Sequence, residues 1–332
     1  MSNEVTLTTL FTKEYLAQAK VMIDSYLNSH QNSRIHVLAL DEVTYNSLLV
    51  IYGQTIEISQ LHLLSEIFNE FRDLQANRNF AESVFTLKVL WISYLLNIQK
   101  PGTIVLYADA DLYFFERIIQ LDDENWSVLL SPHYFPRHLY HLKNSGEYNA
   151  GLIAFRVDKE SQKVLAWWKN SVVQDCSLSK ENGQYADQKY LESFFQISTA
   201  IKIFSNMGVN VGAWRLGRKM RVQKDGQSVI LDGYKIASFH FHAFRIYKSH
   251  FYTGVFRYGF NIPSLLIFLL VYLRYIGKIE AASHLMIALN LEPNLRAKNG
   301  RIFLGQILRR PLELLNIWPR QKTFFTYRLS IK

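Results

Sequence analysis

Cysteine is almost absent: Cys176 is the only one in 332 residues, which excludes a disulfide framework and a thiolate metal centre. No internal repeat and no low-complexity tract interrupts the chain, so solenoids and long disordered linkers are excluded. The opening MSNEVTLTTLF has no basic stretch or small-residue cleavage site, and the expectation is a cytoplasmic protein rather than a secreted one. The unbroken apolar run Leu265–Leu273 covers nine residues, short of the roughly 20 a bilayer span needs. Acidic residues are scarce only locally. From Ala243 to Lys332 there are 14 Lys/Arg against 3 Asp/Glu, whereas the preceding residues hold 23 against 25. The basic excess therefore belongs to the C-terminal part, and it points to an anionic surface.

What is present is abundant apolar material, 49% of residues with 14% aromatic, enough for a well-packed core. Strand and helix signals alternate. Val5–Phe11 is rich in β-branched residues, Glu14–Leu27 has helical spacing, and Arg34–Leu40 is a strand followed by Asp41, a capping residue. Thr55–Ile58 is a short strand, Phe80–Leu96 a helix, and Pro101-Gly102 breaks the chain before strand Thr103–Ala108. A strand at Leu152–Phe155, a helix at Lys159–Val173, a helix opening at Ala186-Asp187 and a strand at Lys235–Phe241 follow. This alternation predicts an α/β fold with a mostly parallel, doubly wound sheet, whose ligands bind beyond the carboxyl ends of the strands.

Asp109 and Asp111 stand at one of those ends, in Tyr107-Ala-Asp-Ala-Asp-Leu-Tyr-Phe-Phe115. Residues two apart on an extended segment point the same way, so both carboxylates share a face suited to a hard divalent ion. Alone, so short a pattern reads equally as a turn acid and a helix cap. His240 and His242 alternate with Phe239 and Phe241, which places both imidazoles on one face as candidate ligands. Asn149 carries a carboxamide able to meet hydroxyls, and Gly151 permits close backbone approach. Lys88 is the only charge between Glu82 and Lys100, either facing solvent or serving a site.

Four segments, in order, resemble GT-A fold glycosyltransferases, most closely bacterial nucleotide-diphospho-sugar transferases related to the retaining family-eight enzymes. They are the Asp109-Ala110-Asp111 element, the Asn149-Ala150-Gly151 element with Trp167-Trp168 after it, the Asp187-Gln188 element, and His240-Phe241-His242-Ala243 in place of His-Phe-x-Gly. The resemblance spans roughly Val5 to Arg245. It implies a GT-A (Rossmann-like) catalytic domain over residues 1–250 and a basic, mainly helical extension over 251–332. It further implies Mn²⁺ or Mg²⁺ on Asp109, Asp111 and His240 or His242, and a nucleotide-diphosphate sugar held by Ala110, Ala150, Gly151 and Lys88. Asp187, Gln188 and Asn149 would lie at the reacting sugar, and Thr9, Phe11 and Tyr15 near the base. The family's closing element continues to Lys-Pro-Trp, and here Arg245-Ile-Tyr-Lys248 stands instead, so Arg245 or Lys248 is expected on the diphosphate.

The expectation is a metal-dependent transferase moving a hexose, with retention, to a glycan or lipid-linked acceptor of a bacterial surface polysaccharide. The alternative is a non-catalytic sugar-nucleotide or glycan binder on the same fold. The C-terminal extension, with Arg301-Ile-Phe-Leu-Gly-Gln-Ile-Leu-Arg-Arg310, reads as a dock on the inner face of the plasma membrane or as a packing subdomain. It shows no recognition helix or zinc pattern, so nucleic acid is not an expected partner. The segment Pro132–His138 has no counterpart in the resemblance and is a candidate acceptor-pocket wall.

Overall fold

The computed structural model describes residues 3–31, 33–68, 78–179, 183–291 and 315–320. The expected segment Arg301–Arg310 lies outside the described residues. The first half runs β1 (Val5–Phe11), α1 (Leu16–Ser29), β2 (Arg34–Ala39), α2 (Glu42–Tyr52), β3 (Glu57–Gln60), α3 (His62–Ile67), α4 (Phe80–Ile98) and β4 (Ile104–Ala108). Then come β5 (Leu112–Phe114), β6 (Val128–Pro132), β7 (Tyr148–Arg156), α5 (Lys159–Gln174), β8 (Ile201–Ile203) and β9 (Val211–Gly212). A three-stranded meander, β10 (Val222–Asp225), β11 (Ser228–Leu231) and β12 (Tyr234–Lys235), precedes β13 (Ser238–His240).

Helix starts are written locally. Asp41 accepts from the Thr44 N–H to open α2, as expected. Reciprocal capping pairs, Asn79 with Glu82 and Asp158 with Ser161, open α4 and α5. The expected helix at Ala186-Asp187 does not form. Ala186 sits at φ 51°, a left-handed conformation that no helix start tolerates, and the chain turns into a 3₁₀ segment, Lys189–Ser193, and a short helix, Phe194–Ile197. The expected strand Lys235–Phe241 is likewise split, with Ile236 and Ala237 between β12 and β13.

The central sheet has the order β3-β2-β1-β4-β7-β6-β8. Every neighbouring pair is parallel except those of β7, which runs against both β4 and β6. The α/β, mostly parallel sheet with flanking helices is thus present, as is the helical C-terminal extension. One apolar cluster, on the α1 side, includes Leu7, Met22, Tyr26 and Leu106; the other, on the α4 and α5 side, includes Trp91, Val105, Phe155 and Trp168. A reversed β7 has one consequence for the site: its N-terminal residues, Asn149 to Gly151, lie beside the C-terminal end of β4. The Asp109 N–H donates to the Gly151 carbonyl at 2.8 Å.

Ile262–Ala288 is one continuous helix of 27 residues, and the nine-residue apolar run Leu265–Leu273 lies within it. By length and composition alone this helix and Phe80–Ile98 could each cross a membrane, although half of each is buried within the protein. Ile267, Val271, Tyr272, Tyr275 and Met286 of the longer helix belong to the same apolar cluster as β1 and α1.

Candidate metal and substrate site

A small second sheet, β5-β13-β9, stands over the C-terminal end of β4. Strand β13 pairs antiparallel with β5, setting His240 opposite Leu112, and the Phe241 N–H donates to the Asp111 carbonyl at 2.9 Å. Phe239 and Phe241 face the other way, into a cluster with Tyr272 and Tyr275, and so fix the strand by its apolar side. His240 Nε2 lies 3.1 Å from Asp111 Oδ1 and 3.8 Å from Asp109 Oδ2. One ligand atom from each of the three residues lies within 4.8 Å of the others. His242 is outside this set; its ring lies 6.0 Å from that of His240 and is exposed at the cleft.

Two carboxylate oxygens and one imidazole nitrogen suit a divalent cation of the Mn²⁺ or Mg²⁺ kind. Neighbouring ligands in a six-coordinate shell with bonds near 2.1 Å stand about 3 Å apart, close to the separations here. The backbone is shaped around the cluster. A Cβ at Gly151 would fall 2.4 Å from His240 Cε1 and 2.7 Å from Asp109 Oδ2, so only glycine fits. Asp109 and Asp111 are shaped further by their partners. The Tyr107 hydroxyl donates to Asp109 Oδ1 at 2.7 Å. Burial would raise the Asp111 carboxyl, but the His240 imidazolium outweighs it and holds Asp111 down at about 2. Burial pulls His240 the opposite way, and Asp111 and Asp109 more than offset it, so its pKa is raised.

Beside this cluster Lys88 and Asp187 form an ion pair at 2.7 Å, both buried. Lys88 is therefore not the solvent-facing lysine its isolation on α4 allowed. Its ammonium also lies 4.0 Å from Asp109 and donates to the Ala150 carbonyl at 3.2 Å. Burial would lower its pKa, but Asp187 and Asp109 raise it above its ordinary value, so it stays cationic. The indole of Trp168 donates to the Asp187 carbonyl at 2.9 Å, a role that explains the tryptophan after the Asn-Ala-Gly element.

Asn149 does something other than the expected contact to sugar hydroxyls. The Gly151 N–H, a fixed donor, meets its Oδ1 at 3.0 Å, and Asn210 Nδ2 donates to the same oxygen at 3.0 Å. Nδ2 must then face His133 Nε2, 3.2 Å away, and the Gln188 Oε1 at 3.4 Å. His133 Nε2 therefore accepts and its proton sits on Nδ1; burial holds this imidazole neutral, with a pKa of about 3. With both ends of its carboxamide engaged, Asn149 organises the irregular start of β7 that carries Gly151. Gln188 completes the set, accepting from the Ala150 N–H at 3.3 Å and donating to the Ser145 carbonyl at 2.8 Å.

These groups open on a cleft of about 920 Å³, in the range of small-molecule sites. Asp109, Asn149, Gly151, Asp187, Gln188 and His240 all line it. The base-contact candidates do not. Thr9 and Phe11 are buried at the end of β1, Phe11 in the core, and Tyr15 packs half-buried against that core. Ala110 is also buried in the core. Arg245 donates to the Phe244 carbonyl and Lys248 is exposed on the hairpin after it; neither lines the cleft. The basic side chain that does is Arg257, which the sequence reading missed, with Tyr258 and Gly259. Asn210 and Trp214 were missed as well, whereas His133 lies in the segment Pro132–His138 expected to wall a pocket, and it lines this cleft. Only Tyr107 carried a usable signal, since it precedes Asp109 by two and so shares its face.

No family model matches the sequence. The chain is similar to the uncharacterized protein YfnF of Bacillus subtilis (strain 168), 29% identical over 250 residues, covering 72% of this chain and 81% of that one. Among solved structures it is similar to the galactosyltransferase LgtC in complex with donor and acceptor sugar analogs, 16% identical with a TM-score of 0.48, over 72% of this chain and 87% of that one. It is also similar to mouse xyloside xylosyltransferase 1 in its apo form, 12% identical with a TM-score of 0.48, over 73% of this chain and 98% of that one. Both of these solved proteins are glycosyltransferases.

Proposed function

We propose that this protein is a metal-dependent glycosyltransferase that moves a hexose from a nucleotide-diphosphate sugar to a glycan or lipid-linked glycan of a bacterial surface polysaccharide. One observation carries the reading. Four segments spread from Asp109 to His240 converge on one cleft, where the two acids and the histidine bring a ligand atom each within 4.8 Å of one another. The residues fit a Mn²⁺ or Mg²⁺ ion, which when bound supplies a Lewis acid to the departing diphosphate. The chain supplies the rest. Lys88 places a fixed positive charge behind Asp109 and Asp187. Arg257 brings a second cation to the cleft wall, where a phosphate would meet it. Asp187 and Gln188 border the space a sugar would fill, and Asn149 and His133 hold the start of β7 beneath it. Retention belongs to the same reading, and it is taken from the resemblance of the motifs.

A cytoplasmic position at the membrane's inner face completes the proposal. Exposed Ile262, Leu265 and Leu269 on the long helix support it. Flotation with anionic vesicles should be lost in Leu265→Gln/Leu269→Gln, which removes the apolar contact without changing the charge.

The direct test is a thermal-shift screen of sugar nucleotides with Mn²⁺, then turnover assays on every hit. Asp111→Asn is expected to lower transfer by at least about 100-fold, the size of effect that losing one oriented electrostatic group produces. Undiminished metal-dependent transfer by that variant sinks the scheme.

A further inference from the structure

The segment from Pro132 to Asn149 is a wall with two sides. His133, Leu139, Ser145 and Asn149 face the cleft already described. Their neighbours Tyr134, Tyr140, Lys143, Glu147 and Tyr148 line a second cavity of about 360 Å³, and Phe135 borders both. This second cavity is aromatic, and Phe135 makes it adjoin the first.

The fold spends structure on holding those rings there. Tyr134 adopts φ 52°, a left-handed backbone that costs a non-glycine residue about 1–3 kcal/mol. The Arg215 guanidinium lies 4.9 Å from its ring, the Phe135 ring stacks on His133 at 4.5 Å, and Phe195 flanks Tyr148 at 5.5 Å. Tyr140 is half exposed, with the Lys143 ammonium 4.8 Å from its ring. Lys143 pairs with Glu147 at 2.9 Å, so a donor and an acceptor stand at the edge of the aromatic surface.

Flat aromatic faces beside a few charged hydrogen-bonding groups match a sugar ring, which offers an apolar C–H face and a rim of hydroxyls. A nucleotide or a free phosphate would want a concentration of positive charge, and here the one lining lysine is matched by a glutamate. We propose that this cavity is a second glycan subsite, holding a sugar of the acceptor chain beyond the one being extended, with the chain crossing at Phe135. The acceptor is then an oligosaccharide or longer, and the subsite supplies binding while the first cleft supplies chemistry. This inference rests on the glycosyltransferase reading for its direction, but its test does not.

The test uses the full chain without metal or nucleotide sugar. Saturation-transfer NMR is run with maltotetraose, cellotetraose and chitotetraose as probes. At least one should bind, Tyr140→Ala should weaken it at least about fivefold, and Tyr140→Phe should restore it, because the ring face does the holding. Tyr134→Gly, which accepts the same backbone angle, should weaken it similarly with an unchanged melting temperature. No binding by any of the three, or binding indifferent to both tyrosine variants, overturns the subsite. Binding with these sensitivities but no turnover of any nucleotide sugar keeps the subsite and removes the transferase reading instead.

Discussion

Lys88 and Asp187 show how much a single buried charge can matter. Lys88→Met leaves the Asp187 carboxylate buried with its main partner gone, at a cost of about 3–5 kcal/mol, whereas Lys88→Met/Asp187→Leu removes both charges and should recover most of that loss. Urea denaturation of the two variants checks it, and equal destabilisation of both would mean that the pair does not act as a unit. Gly151→Ala is expected to act on the site more than on the fold. The added methyl meets His240 and Asp109, so Mn²⁺ binding should weaken at least about tenfold while the overpacking costs about 1–3 kcal/mol. A Mn²⁺ titration followed by thermal shift reads both. At this scale the sequence was legible where the chemistry of neighbouring residues pointed one way: His240 backed by phenylalanines, and the acids Asp109 and Asp111, which a turn at Ala110-Asp111 brings together in place of the extended segment expected. It was not legible where a partner came from far along the chain. Nothing near Lys88 names Asp187, and nothing near Asn149 says that His133 and Asn210 will occupy its carboxamide.

Among the elements, α1 carries a pH response. His30 closes its C-terminal end, stacked on Tyr26 at 4.2 Å. Nε2 accepts from the Ile118 N–H at 3.0 Å, so the proton lies on Nδ1, 2.8 Å from the Ser29 hydroxyl. Burial, with help from Arg117, lowers its pKa to about 4, against an ordinary 6.5. The unfolded chain therefore binds the proton first, and the stability contributed by a neutral His30 is complete above pH 6.5 and drains as pH falls toward 4. At pH 5 the loss from this one group is about 2 kcal/mol. Urea unfolding at pH 7 and pH 5 should show a drop that is smaller in His30→Gln, and equal slopes for the two proteins would refute the assignment. Elements with β-branched runs or helical spacing were readable in advance, as β1, α4 and β4 show. The meander β10–β12 and the break before β13 were not, because short edge strands carry few residues of pattern and their pairing is decided by what packs beneath.

For the whole molecule, the long helix Ile262–Ala288 is structural before it is anything else. Tyr275 stacks on Phe241 with ring centroids 3.6 Å apart, and Tyr272 abuts Phe239 and Phe241, the residues on either side of His240. Ending the chain at Phe260 should therefore give a protein that binds a hydrophobic dye, unfolds without a sharp transition and shows no Mn²⁺ shift. A cooperative fold with normal metal binding would show residues 1–260 to be self-sufficient. The hydrogen bond from Tyr107 to Asp109 reaches further still. One oxygen of that acid meets the phenol and the other turns to His240, and Asp111 and His240 add one atom each. Three of about six seats are then the protein's to give. On the proposed reading the remaining positions fall to water and the diphosphate, so the ion alone should bind weakly, dialysis should strip it readily, and a nucleotide should tighten its hold.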